Sequence, residues 1–282
     1  MQQIRQLVRD KAGNVYLSLG KGEKLTHWED TKILITGIGN SGTNLFTEVV
    51  RASGMFNFTE FVEDRMSWCG QASGLVPLLT KNYGAKMACQ KPYFTIKDFD
   101  RNMEKFPNLY VLVSIRHPLD TSLSNIYREL PLVMGGDSKE NKPEDVCTDN
   151  ARIDDLINLW KTERAPTLFY VLDKYADTGR VTSVKLENLI TSPELVARNI
   201  ARWLGIPYNN EMSNPWNKVR HEGQQNRYCG VLDKTQVYKY KRWKETYDGY
   251  YSDKKELVIR LAKGLAPIST FFGYETEECH FD

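Results

Sequence analysis

Short apolar runs alternate along this chain with segments whose apolar residues recur at helical spacing. Each run is of strand length, and the runs occupy residues 32–38, 84–92, 108–115 and 180–186. Segments with helical character follow at 42–52, 118–128 and 193–204. Strands that alternate with helices predict an α/β fold, in which a central parallel β-sheet is flanked by helices.

The segment 193–204 has the clearest predicted helix boundaries. We expect Ser192 to cap its N-terminus, Pro193 to occupy the first turn and Gly205 to end the helix. The apolar residues fall on one face of this helix and are Val196, Ile200, Trp203 and Leu204.

The first predicted strand leads into a glycine-containing loop within KILITGIGNSGTNLF, residues 32–46. A strand, a glycine turn and a helix N-terminus in this order predict a phosphate-binding loop. Gly37 and Gly42 have the spacing of the nucleotide-triphosphatase loop, which continues with Lys and then Ser or Thr. Thr43 replaces that lysine, and Asn44 replaces the hydroxyl residue that binds Mg²⁺. This loop therefore lacks both the lysine and the metal-binding hydroxyl of the nucleotide triphosphatases.

A second set of polar residues lies in SIRHPLDTSLSNIY, residues 114–127, at the end of the apolar run 108–115. Arg116 is expected at the C-terminal edge of that strand, and Ser122 and Ser124 in the first turns of the next helix. A guanidinium beside hydroxyls at a helix N-terminus predicts a second anion site. The alternative is an arginine paired with an acid and serines that cap the helix. Two anion sites on neighbouring strands favour a ligand that carries a phosphate at each end.

Three ordered motifs resemble those of the sulfotransferases that use 3′-phosphoadenosine 5′-phosphosulfate (PAPS). GIGNSGTNLF resembles the loop that holds the 5′-phosphosulfate, and IRHPLDTSLS resembles the 3′-phosphate motif R-[DH]-P-x-D-x-x-x-S. VTSVKLENLITSPELVARNIARWLGIP resembles the family's E-[DN]-L segment and the helix after it. YKYKRWKETY and FFGYETEE resemble its C-terminal end, so the resemblance runs from about residue 32 to residue 274. It implies a P-loop-like α/β sulfotransferase fold and a PAPS-dependent enzyme.

The resemblance assigns two groups of residues to PAPS. Those that hold the 5′-phosphosulfate are Gly39, Asn40, Ser41, Gly42, Thr43 and Asn44. Arg116 and Ser124, which keep the family's eight-residue spacing, hold the 3′-phosphate. A sulfuryl group carries less negative charge than a phosphoryl group, so the family transfers it without a metal and releases 3′,5′-ADP.

Asn40 departs from the family pattern, because many members have Lys or Arg directly before S-G-T, where it neutralises the bridging oxygen. Asparagine donates a hydrogen bond but brings no charge, so we expect a cation from elsewhere. Lys91, in CQKPYF at the end of the predicted strand 84–92, is our candidate. The alternative is a solvated lysine at a strand end.

The acceptor must lose a proton, and the family uses His, Glu or Asp as the base. FNFTEFVEDRMSW follows the first helix, where the carbohydrate-modifying members place a glutamate, so Glu63 is our first candidate and Glu60 our second. The alternative for either acid is a solvated surface carboxylate. His27 precedes the first strand and His117 lies inside the 3′-phosphate motif, so both histidines are disfavoured.

Composition narrows the class of protein but does not identify the acceptor. Of 282 residues, 41% are hydrophobic and 26% are charged, which is usual for globular proteins. The net charge of +2 argues against nucleic acid or an anionic membrane as a partner. The five cysteines are scattered and form no disulfide or metal-binding pattern. The N-terminus has no leader-like apolar stretch and the chain no long apolar run, so we expect a cytoplasmic enzyme.

We expect one sulfotransferase domain over residues 1–282. It carries an N-terminal extension (1–31), an exposed insertion (131–150) and an irregular loop region (207–250). The insertion contains five acidic residues and two lysines, and Glu60, Glu63 and Asp64 follow the first helix. This negative charge favours a cationic acceptor, although charged loops are usually only solvated.

The acceptor is expected to be a small molecule that is sulfated on oxygen or nitrogen. Bacterial members of the family tailor secondary metabolites, and N-sulfation of a guanidinium alkaloid of the saxitoxin type fits the charges. O-sulfation of a phenol, a lipid or a carbohydrate is the alternative acceptor class. A P-loop kinase and a non-catalytic nucleotide-binding module are the alternatives of other classes, and the oligomeric state is not predicted.

Overall fold

The structure is a computed structural model in which the described residues fall into separate stretches of the chain. These are residues 7–9, 15–17, 31–58, 83–88, 96–133, 150–215, 237–246, 249 and 251–274. The strands are β1 (Leu7–Arg9), β2 (Val15–Leu17), β3 (Lys32–Gly37), β4 (Asn57–Phe58), β5 (Tyr83–Ala88), β6 (Leu109–Ile115) and β7 (Val181–Lys185). The α-helices are α1 (Thr43–Ala52), α2 (Ile96–Lys105), α3 (Pro118–Val133), α4 (Asn150–Leu159), α5 (Ala165–Lys174), α6 (Leu186–Thr191), α7 (Pro193–Leu204), α8 (Trp243–Thr246) and α9 (Lys255–Phe271). A π-helix spans Trp160–Arg164, and 3₁₀-helices span Ala176–Thr178, Asn210–Ser213 and Lys239–Arg242.

A five-stranded sheet with the strand order β4-β5-β3-β6-β7 organises the fold. Every neighbouring pair of strands in it is parallel. All six residues of β3 are buried, and β6 is buried except at Tyr110, as expected of parallel strands that are covered on both faces. The prediction of an α/β fold with a central parallel sheet is therefore confirmed.

The strand register determines what meets at the C-terminal edge of this sheet. Gly37, the last residue of β3, is level with Ser114 of β6, and Lys185, the last residue of β7, is level with Ile115. The loop after β3 and the start of α6 therefore leave the sheet at the same edge. Ligands of open α/β sheets bind at this edge, beyond the carboxyl ends of the strands.

The chain groups into two compact units, each built from two segments. The first unit comprises Met1–Ile115 and Thr167–Lys234, and the second comprises Arg116–Pro166 and Thr235–Asp282. The five-stranded sheet with α1 and α7 belongs to the first unit, and α3, α4 and α9 belong to the second. The expectation of a single domain over 1–282 stays a prediction. No helix in the described part of the chain is long and apolar enough to cross a bilayer.

Several predicted boundaries change in the structure. The helix predicted to end at about residue 128 continues to Val133, and Asn150 begins α4, so most of the predicted insertion lies outside the described residues. Ser192 occupies the N-cap of α7, but its side chain makes no capping hydrogen bond, so this prediction is wrong. Its backbone N–H instead donates to the carbonyl of Asn188, because α6 ends directly before it. Pro193 and Gly205 take the predicted positions.

The sequence patterns missed several elements, which are β1, β2, β4, α2, α4, α5, α6, α8 and α9. The interior of α9 contains Gly264 and Pro267, which usually interrupt helices, so its pattern is hard to recognise. Gly264 is needed there because a Cβ would collide with the side chain of Ile157. The pairing of β1 with β2 lies within the predicted N-terminal extension, where three-residue strands leave little periodicity.

Asp100 joins α2 to α5 in the first unit. Its carboxylate accepts hydrogen bonds from Tyr170 (2.6 Å) and Tyr175 (2.7 Å), and it pairs with Lys174 Nζ at 2.8 Å. Burial raises the pKa of Asp100, but the hydrogen bonds from Lys174 and the two tyrosines outweigh it, so the pKa lies below its ordinary value. Burial and the bond to Asp100 raise the pKa of Tyr175 to about 12.

Candidate functional site

The loop after β3 is held closely against β6. Ser114 Oγ donates a hydrogen bond of 2.5 Å to the carbonyl of Ser41. A Cβ on Gly37 would lie 2.5 Å from the Ser114 carbonyl oxygen and 2.5 Å from Ser41 Oγ. Only glycine allows this approach, so the loop position depends on the absence of a side chain at residue 37.

Two left-handed residues lie on either side of Ser41 in the loop. Asn40 has φ 65° and Gly42 has φ 98°. A Cβ on Gly42 would lie 2.7 Å from Leu186 Cδ1, so the start of α6 packs against this glycine. Asparagine is among the few residues other than glycine that readily adopt a positive φ. The backbone conformation thus gives a physical reason for asparagine where the family often has lysine or arginine.

The N-terminus of α1 completes the loop. The first intrahelical bond runs from the N–H of Phe46 to the carbonyl of Gly42 (3.2 Å), so the amides of residues 43–45 precede the bonding pattern of the helix. Such amides, together with the positive end of the helix dipole, bind anions. The amide of Ser41 donates to the carbonyl of Ile38 (3.0 Å), so this amide is already bonded within the loop. Ser41 Oγ is buried and has no hydrogen-bond partner among the described residues.

The second predicted anion segment begins at Arg116 and continues into α3. The Arg116 side chain is 9% exposed, and its Nη2 lies 3.6 Å from Asp120 Oδ2. Ser124 is buried on the same helix. Within the described chain, the buried hydroxyls of Thr121 and Ser122 have no hydrogen-bond partner. The arginine is thus paired with an acid, as the alternative interpretation expected, and it lies in the same segment as these two hydroxyls.

Asp120 is the buried acid of this segment. Its Oδ1 accepts the N–H of Tyr240 at 2.7 Å, and its Oδ2 accepts the N–H of Lys239 at 2.9 Å. Burial raises the pKa of the Asp120 carboxyl, and the charge of Arg116 and the two N–H donors oppose this rise. The carboxylate is therefore compensated by the charges of Arg116 and Lys239 and by two backbone dipoles.

His117 has a structural role at the start of α3. Its Nδ1 accepts the N–H of Leu119 at 3.2 Å, which caps the helix. Its ring packs on Tyr240 and Tyr274 with centroid distances of 4.4 and 4.9 Å. One nitrogen of this buried imidazole is thus used to cap the helix.

The predicted catalytic residues lie outside the described part of the chain. They are Glu60, Glu63 and Lys91, and His27 is likewise outside it. Their roles stay predictions.

Lys185 is a further cation at the loop edge that the sequence reasoning did not single out. It ends β7 and precedes Leu186, the residue that packs against Gly42. Burial lowers the pKa of the Lys185 ammonium, and the Glu187 carboxylate opposes this effect. A lysine between a strand and a helix, at the ligand edge of a parallel sheet, is the signal that would have identified it.

Ser114 and Asp120 were also missed as residues that shape the site. Ser114 is a hydroxyl residue near the end of an otherwise apolar strand, and Asp120 is the acid within the motif IRHPLDTSLS. Their positions are visible in the sequence, but their partners are not. Ser114 contacts a residue 73 positions away, and Asp120 contacts one 120 positions away.

The chain matches a family model described as the Sulfotransferase family over residues 63–210, more than half of its 282 residues. A sulfotransferase domain from the curacin biosynthetic pathway shares its fold, with a TM-score of 0.52 and 14% identity, over 80% of this chain and 97% of that domain. Mouse sulfotransferase SULT7A1 complexed with PAP matches at 15% identity with a TM-score of 0.45, over 79% of this chain and 82% of that one. A search among curated protein sequences found no match. The chain belongs to the sulfotransferase family and is an enzyme of sulfuryl transfer.

Proposed function

We propose that this enzyme transfers the sulfuryl group of PAPS to a small-molecule acceptor and releases 3′,5′-ADP. The observation that carries the proposal is the loop 37–42, which is pre-organised at a helix N-terminus yet lacks the lysine and the metal-binding hydroxyl of nucleotide triphosphatases. A phosphate loop of this kind is expected to work without a metal in a family of enzymes that transfer sulfuryl groups.

The loop side of the site fits the 5′-phosphosulfate. The buried Ser41 Oγ has no partner in the described part of the chain, and the amides of Thr43 and Asn44 lie at the N-terminus of α1. Bound PAPS would supply the sulfuryl group, and negative charge would grow on its 5′-phosphate as that group leaves. Amides and a helix dipole that are already in place stabilise such charge without reorganising.

The segment from Arg116 to Ser124 fits the 3′-phosphate. A guanidinium forms strong charge-assisted hydrogen bonds to phosphate, and the buried hydroxyls of Thr121 and Ser122 add further donors in the same segment. A 3′-phosphate distinguishes PAPS from ATP and from 5′-AMP. This segment would therefore provide the selection of the sulfuryl donor.

Proton transfer and charge neutralisation are assigned to residues chosen from the sequence. Glu63, or Glu60 in second place, would accept the proton that the acceptor loses. Lys91 would neutralise the bridging oxygen in place of the cation that Asn40 lacks.

The acceptor is proposed to be cationic. The acids at residues 60, 63 and 64 and the excess of acids in 135–150 would attract a positively charged substrate. N-sulfation of a guanidinium-bearing secondary metabolite, of the saxitoxin type, fits this charge, and O-sulfation of a phenol, lipid or carbohydrate is the competing possibility. We propose that the enzyme acts in the cytoplasm, without nucleic acid or a membrane as partner.

Ligand-dependent thermal shifts test the sulfuryl donor. We expect 3′,5′-ADP to raise the melting temperature clearly more than 5′-AMP does at the same concentration. Arg116→Ala should weaken 3′,5′-ADP by about 2 kcal/mol, a factor of about 30, and leave 5′-AMP nearly unchanged. Arg260→Ala is the matched control, because Arg260 pairs with Asp154 at the surface of the same unit.

Mass spectrometry of the products then tests the reaction class. The enzyme should transfer sulfate from PAPS and should not transfer phosphate from ATP. Equal thermal shifts with 3′,5′-ADP and 5′-AMP, or phosphate transfer alone, would refute the proposal.

A further inference from the structure

Asp120 contacts both the arginine assigned to the 3′-phosphate and a distant turn. One carboxylate accepts the backbone N–H groups of Lys239 (2.9 Å) and Tyr240 (2.7 Å) and lies 3.6 Å from Arg116 Nη2. Asp120 is fully buried, and a buried carboxylate persists only where such donors and charges compensate it. The carboxylate is therefore held from two directions.

The helical spacing places Asp120 between the two residues assigned to the 3′-phosphate. Arg116, Asp120 and Ser124 follow one another at intervals of four residues. Helical bonding reaches back to His117, whose carbonyl accepts the N–H of Thr121 at 2.9 Å. Residues four apart share one face of a helix, so Asp120 and Ser124 lie on one face of α3. Arg116 precedes the helix by two residues, and its contact with Asp120 is the 3.6 Å pair.

The turn that donates to Asp120 has an unfavourable backbone. Tyr238 has φ 50°, a left-handed conformation that aromatic residues rarely adopt and that persists only when surrounding contacts hold it. The carbonyl of Tyr238 accepts the N–H of Lys241 at 3.0 Å, and the two amides between them donate to Asp120. The turn and the carboxylate therefore fix each other.

We propose that Asp120 is a positioning residue, which uses the turn at residues 238–241 as its anchor and directs the Arg116 guanidinium toward the 3′-phosphate. The inference rests on the proposed function, because it takes the 3′-phosphate as the ligand of Arg116. The 3.6 Å separation is longer than a direct hydrogen bond, so the pair orients the guanidinium by charge. Asparagine at position 120 would keep the shape of the side chain but lose its negative charge. Its NH₂ group would also point at backbone N–H donors, which cannot accept a hydrogen bond.

Donor discrimination in a double-mutant cycle tests this role. We expect Asp120→Asn to raise the Kd for 3′,5′-ADP at least tenfold and to leave the Kd for 5′-AMP within twofold. In the Arg116→Ala background the same substitution should change the Kd for 3′,5′-ADP less than twofold, because the residue it positions is gone. Asp155→Asn is the matched control, since Asp155 is exposed on α4 of the same unit.

Two results would overturn the inference while leaving the proposed function standing. One is a folded Asp120→Asn enzyme with wild-type discrimination between 3′,5′-ADP and 5′-AMP. The other is an Asp120→Asn effect that stays equally large without Arg116. A wild-type enzyme that binds both nucleotides equally would overturn the proposed function and this inference with it.

Hydrogen exchange on the wild-type enzyme keeps the inference testable if Asp120→Asn does not fold. If the 3′-phosphate, Arg116 and Asp120 form one network, 3′,5′-ADP should slow exchange of the Lys239 and Tyr240 amides at least fivefold, and 5′-AMP should not. Equal protection by the two nucleotides would contradict the role of Asp120.

Discussion

Alanine at Gly37 should destabilise the protein and disturb the phosphate loop, because the added methyl group has no room. Its Cβ would lie 2.5 Å from the Ser114 carbonyl oxygen and 2.5 Å from Ser41 Oγ. The first of these atoms is backbone in a central strand, so the clash is not relieved by a side-chain rotation. Overpacking typically costs about 1–3 kcal/mol. With backbone as one partner, we expect about 3 kcal/mol.

Two other glycines of the same unit separate steric clash from backbone strain. Gly54 has φ 72° and no atom within 4 Å of an added Cβ, so Gly54→Ala should cost only the left-handed strain, about 1 kcal/mol. Gly42 combines φ 98° with a contact of 2.7 Å to Leu186 Cδ1, the end of a flexible side chain. Gly42→Ala should therefore lie between the two, at about 2 kcal/mol.

Urea unfolding of the three variants measures these differences, provided that the m-values stay the same. Calorimetric titration with 3′,5′-ADP gives the second measurement. Gly37→Ala should weaken binding, because Ser41 must shift, whereas Gly54→Ala should bind as the wild type does. A Gly37→Ala protein no less stable than Gly54→Ala would show that the close approach of β6 to the loop does not exist as described.

Further predictions concern the missing cation, a pH-dependent contact and the acceptor. Lys91→Ala should lower kcat far more than it raises KM for PAPS. Asn40→Lys in that background should restore only part of the activity, because lysine at a positive φ costs about 1 kcal/mol. A Lys91→Ala enzyme with a normal kcat would remove Lys91 from the mechanism. Asp100→Asn should be less stable than the wild type at neutral pH. This difference in unfolding free energy should shrink as the pH falls below 3.8, the ordinary pKa of an aspartate, because the pKa of Asp100 is lowered in the folded state. A constant difference in urea unfolding between pH 7 and pH 3 would contradict this. In a panel of guanidinium alkaloids, phenols and amino sugars, the enzyme should turn over the cationic acceptors, with a kcat/KM that falls as the salt concentration rises. Turnover of phenols alone would refute the proposal of a cationic acceptor.

Local patterns in the sequence predicted four of the five strands of the sheet and missed β4. The apolar runs at β3 and β6 are buried strands, and the helix that starts at Pro193 ends at the predicted Gly205. Helix α9 escaped prediction because tertiary packing tolerates a glycine and a proline inside it. Local propensity fails where a distant side chain, here Ile157 against Gly264, decides which residue fits.

The sequence proposes the residues of the candidate site but not their contacts. The glycine spacing and the Arg116 motif predict two anion segments, because helix N-termini and guanidinium groups have short-range signatures. The bonds from Ser114 to the Ser41 carbonyl and from the amide of Tyr240 to Asp120 cross large sequence separations. Spacing along the chain carries no information about such pairs.

The conformation of Asn40 changes how the missing lysine is understood. Its φ of 65° makes position 40 a left-handed position in the loop, and asparagine adopts this conformation more readily than lysine does. The loop is shaped by Ser114 and by the packing of Gly42 against Leu186, so its geometry does not depend on a cation at position 40. A charge that acts on the leaving group is then best supplied by a neighbouring strand end, where a lysine needs no strained backbone. Lys91 fits that requirement from the sequence, and Lys185 meets it at the end of β7. Replacing the two lysines separately and together would therefore distinguish which of them supplies the charge.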